Sequence, residues 1–127
     1  MSYDISYDAD AGIISVTHHE SFDLAAVDGF IEDTLSAVKK HQCYRIFIDY
    51  RGVELVGTIT KIYNVPKKVS KALSEAGLQS HVIKRALVIS GYTKGFRFLE
   101  AVSINRGQPL KIFQDIDEAK KWLTEGK

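Results

Sequence analysis

The chain has 127 residues, with 45% hydrophobic and 10% aromatic side chains and 17 Lys and Arg against 16 Asp and Glu. This size and balance suit one domain around one core, spanning residues 1–127; with Gly 9, Pro 2 and Cys 1 they exclude a collagenous, low-complexity or disulfide-stapled chain. No apolar run reaches the roughly 18–20 residues of a membrane span, the polar start Met1-Ser2-Tyr3-Asp4 lacks signal-peptide character, and a lone cysteine suits a reducing compartment, so a cytoplasmic protein with no integral membrane segment is expected.

Tyr3-Asp4-Ile5-Ser6-Tyr7-Asp8 alternates apolar and polar at period two and predicts a half-buried strand. Turn residues Asp8 to Gly12 then lead into the β-branched run Ile13–Thr17, which completes a hairpin. From Ser21 or Asp23 the period becomes helical, with Phe22, Ala26, Val27, Phe30, Ile31, Thr34, Leu35 and Val38 on one stripe. Lys39, Lys40 and His41 complement the dipole at its end. Tyr44–Tyr50 is a strand of the type buried on both faces.

The segment Arg51–Gly57 is unusually apolar for a loop. Ile59, Ile62, Tyr63, Pro66, Val69 and Leu73 then resume helical spacing, closed by a Gly77 C-cap. Pro66 predicts a kink, or a second helix beginning there. Lys84–Ser90 is another buried strand, followed by a helix carrying Phe96, Leu99, Val102 and Ser103 and stopped at Arg106-Gly107. Pro109–Phe113 is a short strand, with the proline at its entry. Asp115-Ile116-Asp117-Glu118 has the form of a capping box, Asp115 accepting from the third helical amide. The last helix buries Ile116, Ala119, Trp122 and Leu123. The fold class is therefore α/β, a five-stranded mostly parallel sheet with an N-terminal antiparallel hairpin and about four helices, in the order β-β-α-β-α-β-α-β-α.

Net charge is uneven. Residues 1–63 hold ten acidic against five basic residues, and residues 64–127 hold six against twelve. Such polarity steers an anionic ligand or partner towards the second half, or favours contact between the halves. The basic residues are scattered and no aromatic recognition motif accompanies them, so nucleic acid is not an expected partner.

Chemistry-bearing clusters are sparse. His18-His19-Glu20 offers two ligands on one strand face, too few for a metal site, and reads as a solvated strand end. Cys43 lies near His41 but reads as a small residue at a strand entry rather than a nucleophile. Asp49 ends the third strand, where ligands gather in open α/β sheets. Beyond it stand Arg51, Val53, Leu55 and Val56, then Thr58 and Thr60, either of which is a natural helix N-cap and tolerates phosphorylation there. Ser90–Gly95 precedes a helix with two glycines, a weak anion-binding signal. No catalytic frame, metal site or cofactor motif is present in the sequence, and no enzyme is expected.

The Asp49-Tyr50-Arg51-Gly52 strand end, Phe98-Leu99-Glu100, Asn105-Arg106-Gly107 and above all Leu110–Ala119 with Trp122-Leu123 resemble the SpoIIAA-like group of small bacterial STAS-type domains. That group is related in fold to anti-sigma-factor antagonists and, more loosely, to CRAL-TRIO lipid-binding domains. The resemblance spans essentially the whole chain. It implies a non-enzymatic regulatory domain used for protein contacts, sometimes switched by phosphorylation or a small ligand. The antagonists' phosphorylated hydroxyl lies in an Asp-x-Ser-Gly motif after the third strand; here Asp49-Tyr50-Arg51-Gly52 has no serine, and the nearest hydroxyls are Thr58 and Thr60.

Two functional expectations follow. The first is a regulatory or protein-interaction module whose partner, another protein or a second copy in a homodimer, meets Val53–Ile59 and the second helix. On that reading, changing Leu55 and Val56 to Asp abolishes association and leaves the fold intact. The second is a CRAL-TRIO-like carrier or sensor of a small apolar or anionic ligand. Its pocket would be bounded by residues 50–60 and 90–97, with Arg51, Lys94 and Arg97 as anion contacts.

Overall fold

The computed structural model describes residues 3–19, 21–90 and 94–125, without the side chains of Val56 and Lys94. Strands β1 (Tyr3–Asp8) and β2 (Ile13–His18) form the expected antiparallel hairpin. In its turn the Asp8 carboxylate accepts from the backbone N–H groups of Asp10 and Ala11, and Gly12 adopts a φ of 68°. A two-residue strand β3 (Phe22–Asp23) and a 3-10 turn at Leu24–Ala26 precede helix α1 (Val27–His41). The first helix thus begins later than its apolar stripe: Asp23 caps the short turn, accepting from Ala25 N–H at 2.9 Å, and Phe22 is spent on strand pairing.

Strands β4 (Arg45–Asp49) and β5 (Leu55–Val56) lead to helix α2 (Ile59–Glu75), and a 3-10 turn at Ser80–Val82 leads to β6 (Lys84–Val88). Helix α3 (Lys94–Asn105), strand β7 (Leu110–Phe113) and helix α4 (Ile116–Thr124) complete the chain. Of the two expectations at Pro66, a second helix does not begin there; α2 is continuous through the proline. Both α2 and α3 end in Schellman motifs at Gly77 and Gly107, with Leu78 N–H on Leu73 O at 2.8 Å and Gln108 N–H on Ser103 O at 3.0 Å. Asp115 caps α4 one residue earlier than expected, on Asp117 N–H at 3.0 Å.

The main sheet has the order β1-β2-β4-β6-β7, with β2, β4, β6 and β7 parallel, and β3 pairs in parallel with β5 in a small annex. Because each crossover steps in the same direction, right-handed connections place α1, α2 and α3 on one face. Their buried residues, among them Phe30, Val38, Ile62, Leu73, Phe96 and Leu99, pack on Ile14, Val16, Ile46, Ile48 and Leu87. Helix α4 covers the other face, with Ala119 and Leu123 on Ile13, Phe47, Ala86 and Val88. Cys43 is buried at the entry to β4, its thiol donating to Gly12 O at 3.2 Å. On the edge strand β7, Ile112 N–H donates to the Glu100 carboxylate at 2.8 Å.

Candidate interaction site

The carboxyl end of β4 turns sharply. Val53 N–H donates to Tyr50 O at 3.0 Å, a turn that Gly52 permits with a φ of 72°. The Asp49 carboxylate faces back over the turn and accepts from Arg51 three times, from its backbone N–H at 3.0 Å and from Nε and Nη2 at 3.0 and 2.9 Å. Burial alone would raise the Asp49 carboxyl; the hydrogen bonds and charge of Arg51 outweigh it and hold the group below its ordinary value. Asp49 and Arg51 therefore form one closed fork, and the guanidinium is already engaged.

The apolar run beyond the fork is packed. Phe22 N–H donates to Glu54 O at 2.8 Å, and Leu55 and Val56 pair with Phe22 and Asp23. Val53 and Leu55 are half-buried against the core. A Cβ on Gly95 would come within 3.2 Å of Leu55 Cδ2 and 3.5 Å of Ile62 Cδ1, so Leu55 sits where α2 and α3 approach each other. A Cβ on Gly57 would lie 2.8 Å from Leu24 Cδ1, so with its φ of 155° the position favours glycine where the annex meets the 3-10 turn. Leu55 therefore packs into the fold, which argues against the expectation that aspartate there leaves the fold intact. Leu55→Asp is expected to cost at least about 3 kcal/mol, from lost packing plus a carboxylate forced against apolar neighbours. Urea denaturation checks this; an unchanged midpoint would show that the side chain is dispensable.

Thr58 caps α2, its hydroxyl accepting from Lys61 N–H at 3.2 Å, and Thr60 is exposed in the first turn. The core face of α2 is Ile62, Val65, Pro66 and Leu73, with Val69 half-buried. Ile59 and Tyr63, counted with the core stripe in the sequence, instead point outward, 72% and 46% exposed. They are four residues apart on one face, and Lys67 Nζ lies 5.4 Å from the Tyr63 ring centre. Arg97, on α3, forms an ion pair with Glu100 at 3.5 Å, the same carboxylate that accepts from Ile112 N–H in β7. The Ser90–Gly95 anion loop falls partly on 91–93, outside the described residues, as does the side chain of Lys94.

His18 was read as part of a solvated strand end, and the structure corrects this. It is 4% exposed and enclosed by aromatic rings, with Phe22 and Tyr50 stacked at 4.7 Å, Phe30 at 4.9 Å and Tyr3 at 5.5 Å. Neither ring nitrogen has a protein hydrogen-bond partner. Burial, helped by the adjacent His19, pushes its pKa down to about 4. Strand parity held the signal, because His18 continues the alternation of buried Ile14 and Val16. No cluster of three metal-ligating side chains exists among the described residues, and no helix among them is long and apolar enough to cross a membrane.

No protein-family model matches the chain, and no curated protein matches it. Among solved structures it is similar to an anti-sigma factor antagonist from Mycobacterium paratuberculosis, at 16% identity and a TM-score of 0.58, over 96% of this chain and 94% of that one. The resemblance read in the sequence thus holds in three dimensions: this chain has the α/β fold of an anti-sigma factor antagonist.

Proposed function

We propose that the protein is a non-enzymatic regulatory module that docks a protein partner on the outer face of the first two turns of α2. The observation that carries this reading is the exposed Ile59 and Tyr63 pair. Two large apolar side chains standing together in water on a rigid helix are the pattern of a contact surface. The fold shared with an anti-sigma factor antagonist supports the same reading. The Asp49–Arg51 fork, Val53, Leu55 and the annex act as the frame that fixes the start of this helix, and Thr58 and Thr60 lie in its first turn. A phosphate on either threonine would put negative charge beside the apolar pair and release a partner held there.

A photo-crosslinking residue placed at Ile59 is expected to capture one defined protein in cells of the source organism. Adding Tyr63→Asp abolishes the capture while stability stays within about 0.5 kcal/mol of the parent, as for other exposed positions. Capture of this same chain would mean self-association through that face, and capture of another protein a hetero-partner. No capture, or capture indifferent to Tyr63→Asp, would place the function elsewhere.

A further inference from the structure

A cavity opens to solvent between α1 and α2 above the amino-terminal half of β4 and β6, with a volume of about 60 Å³. Its wall is apolar, with Leu35 and Val38 from α1 and Val69 and Ala72 from α2, except for two side chains, Thr34 and Arg85. The Thr34 hydroxyl is buried and has no hydrogen-bond partner. Arg85 is half-buried, and its Nη2 donates to Gln108 Oε1 at 2.7 Å. No carboxylate is paired with Arg85 among the described residues. A guanidinium carries five N–H donors in a planar fork, so most of its capacity is unspent. Burial lowers its pKa to about 10, which leaves it cationic at neutral pH.

We infer that this cavity is a binding site for an aliphatic monocarboxylate, whose two oxygens meet Arg85 and Thr34 and whose hydrocarbon tail lies between α1 and α2. A carboxylate matches the guanidinium fork with two parallel hydrogen bonds. A dianionic phosphate would need a second cation, and Arg85 is the sole charged residue in the lining. The apolar wall selects a hydrocarbon over a sugar or nucleotide. The site is separate from the exposed Ile59 and Tyr63 face, and the inference stands whether or not that face docks a partner.

Octanoate and 1-octanol, titrated into isotopically labelled protein and followed by amide NMR shifts, test the assignment. Octanoate is expected to bind saturably, with shifts at Thr34, Val38, Val69 and Ala72, and at least about tenfold more tightly than octanol, the worth of charge-assisted hydrogen bonding. Arg85→Met should erase that preference, and Ala72→Phe, which fills the cavity and keeps the guanidinium, should erase octanoate binding. Circular dichroism of both variants confirms that they fold. Absence of saturation in the wild-type protein, equal affinity for acid and alcohol, or a preference that survives Arg85→Met would each overturn the inference.

Discussion

Acidification from pH 7 to pH 4 is expected to remove about 3 kcal/mol of folding stability through His18 alone, and His18→Phe is expected to abolish that part of the loss. The sign follows from where the proton binds. In the unfolded chain the imidazole titrates at its ordinary value of 6.5, whereas in the folded protein burial pushes its pKa down to about 4. Between those values the unfolded state takes up a proton that the native state refuses, so stability falls as pH falls through this window and levels off below it. The aromatic box of Tyr3, Phe22, Phe30 and Tyr50 offers the imidazolium no carboxylate and no hydrogen-bond acceptor. A phenyl ring suits the same box without leaving two nitrogens unpaired, so His18→Phe should also gain about 1–2 kcal/mol at pH 7. Urea denaturation of both proteins at half-unit pH steps measures the difference curve. A curve that stays flat between pH 6.5 and 4 would mean that the native state accommodates the proton.

The second large effect belongs to Gln108. Its side chain is 2% exposed, and its amide donates to Pro66 O and Ser70 Oγ, each at 2.8 Å, while its carbonyl accepts from Arg85 at 2.7 Å. One residue thus joins the α3–β7 connection to the middle of α2 and to β6. Gln108→Ala removes three hydrogen bonds at once, those to the Pro66 carbonyl, the Ser70 hydroxyl and the Arg85 guanidinium, and about 3 kcal/mol of destabilisation is expected from that loss. The check is the urea midpoint at constant denaturant slope; a loss below about 1 kcal/mol would show that solvent replaces the amide. The Schellman motif that precedes Gln108 fixes its position, since its own N–H is held by Ser103 O at 3.0 Å.

Much of the architecture was legible in the sequence because periodicity reports burial directly. Ile46, Phe47 and Ile48 are buried on both faces of β4, and the Gly77 and Gly107 stops lie where left-handed residues end helices. The annex was not legible, because Phe22 fits the helical stripe of α1 equally well, and only the distant Leu55 decides that it pairs as strand. At Pro66 the sequence left a kink or a second helix open. The helix continues through it, with Pro66 buried and its carbonyl held by Gln108 from another element. Ile59 and Tyr63 share the helical spacing of the core residues but lie off the buried stripe, a distinction finer than composition resolves. The Arg85 and Thr34 cavity depends on how closely α1 and α2 approach, which no local pattern encodes.

The strand order β1-β2-β4-β6-β7 has a consequence for biosynthesis. Each strand leaving the ribosome finds its neighbour already made, so the sheet can grow in step with translation without waiting for a distant segment. Helix α4 is the exception, because the face formed by Ile13, Phe47, Ala86 and Val88 acquires its cover only after residue 115 has emerged. A nascent chain paused before that point carries a nearly finished sheet with one apolar side bare, the kind of surface that chaperones hold and that stalled chains aggregate through.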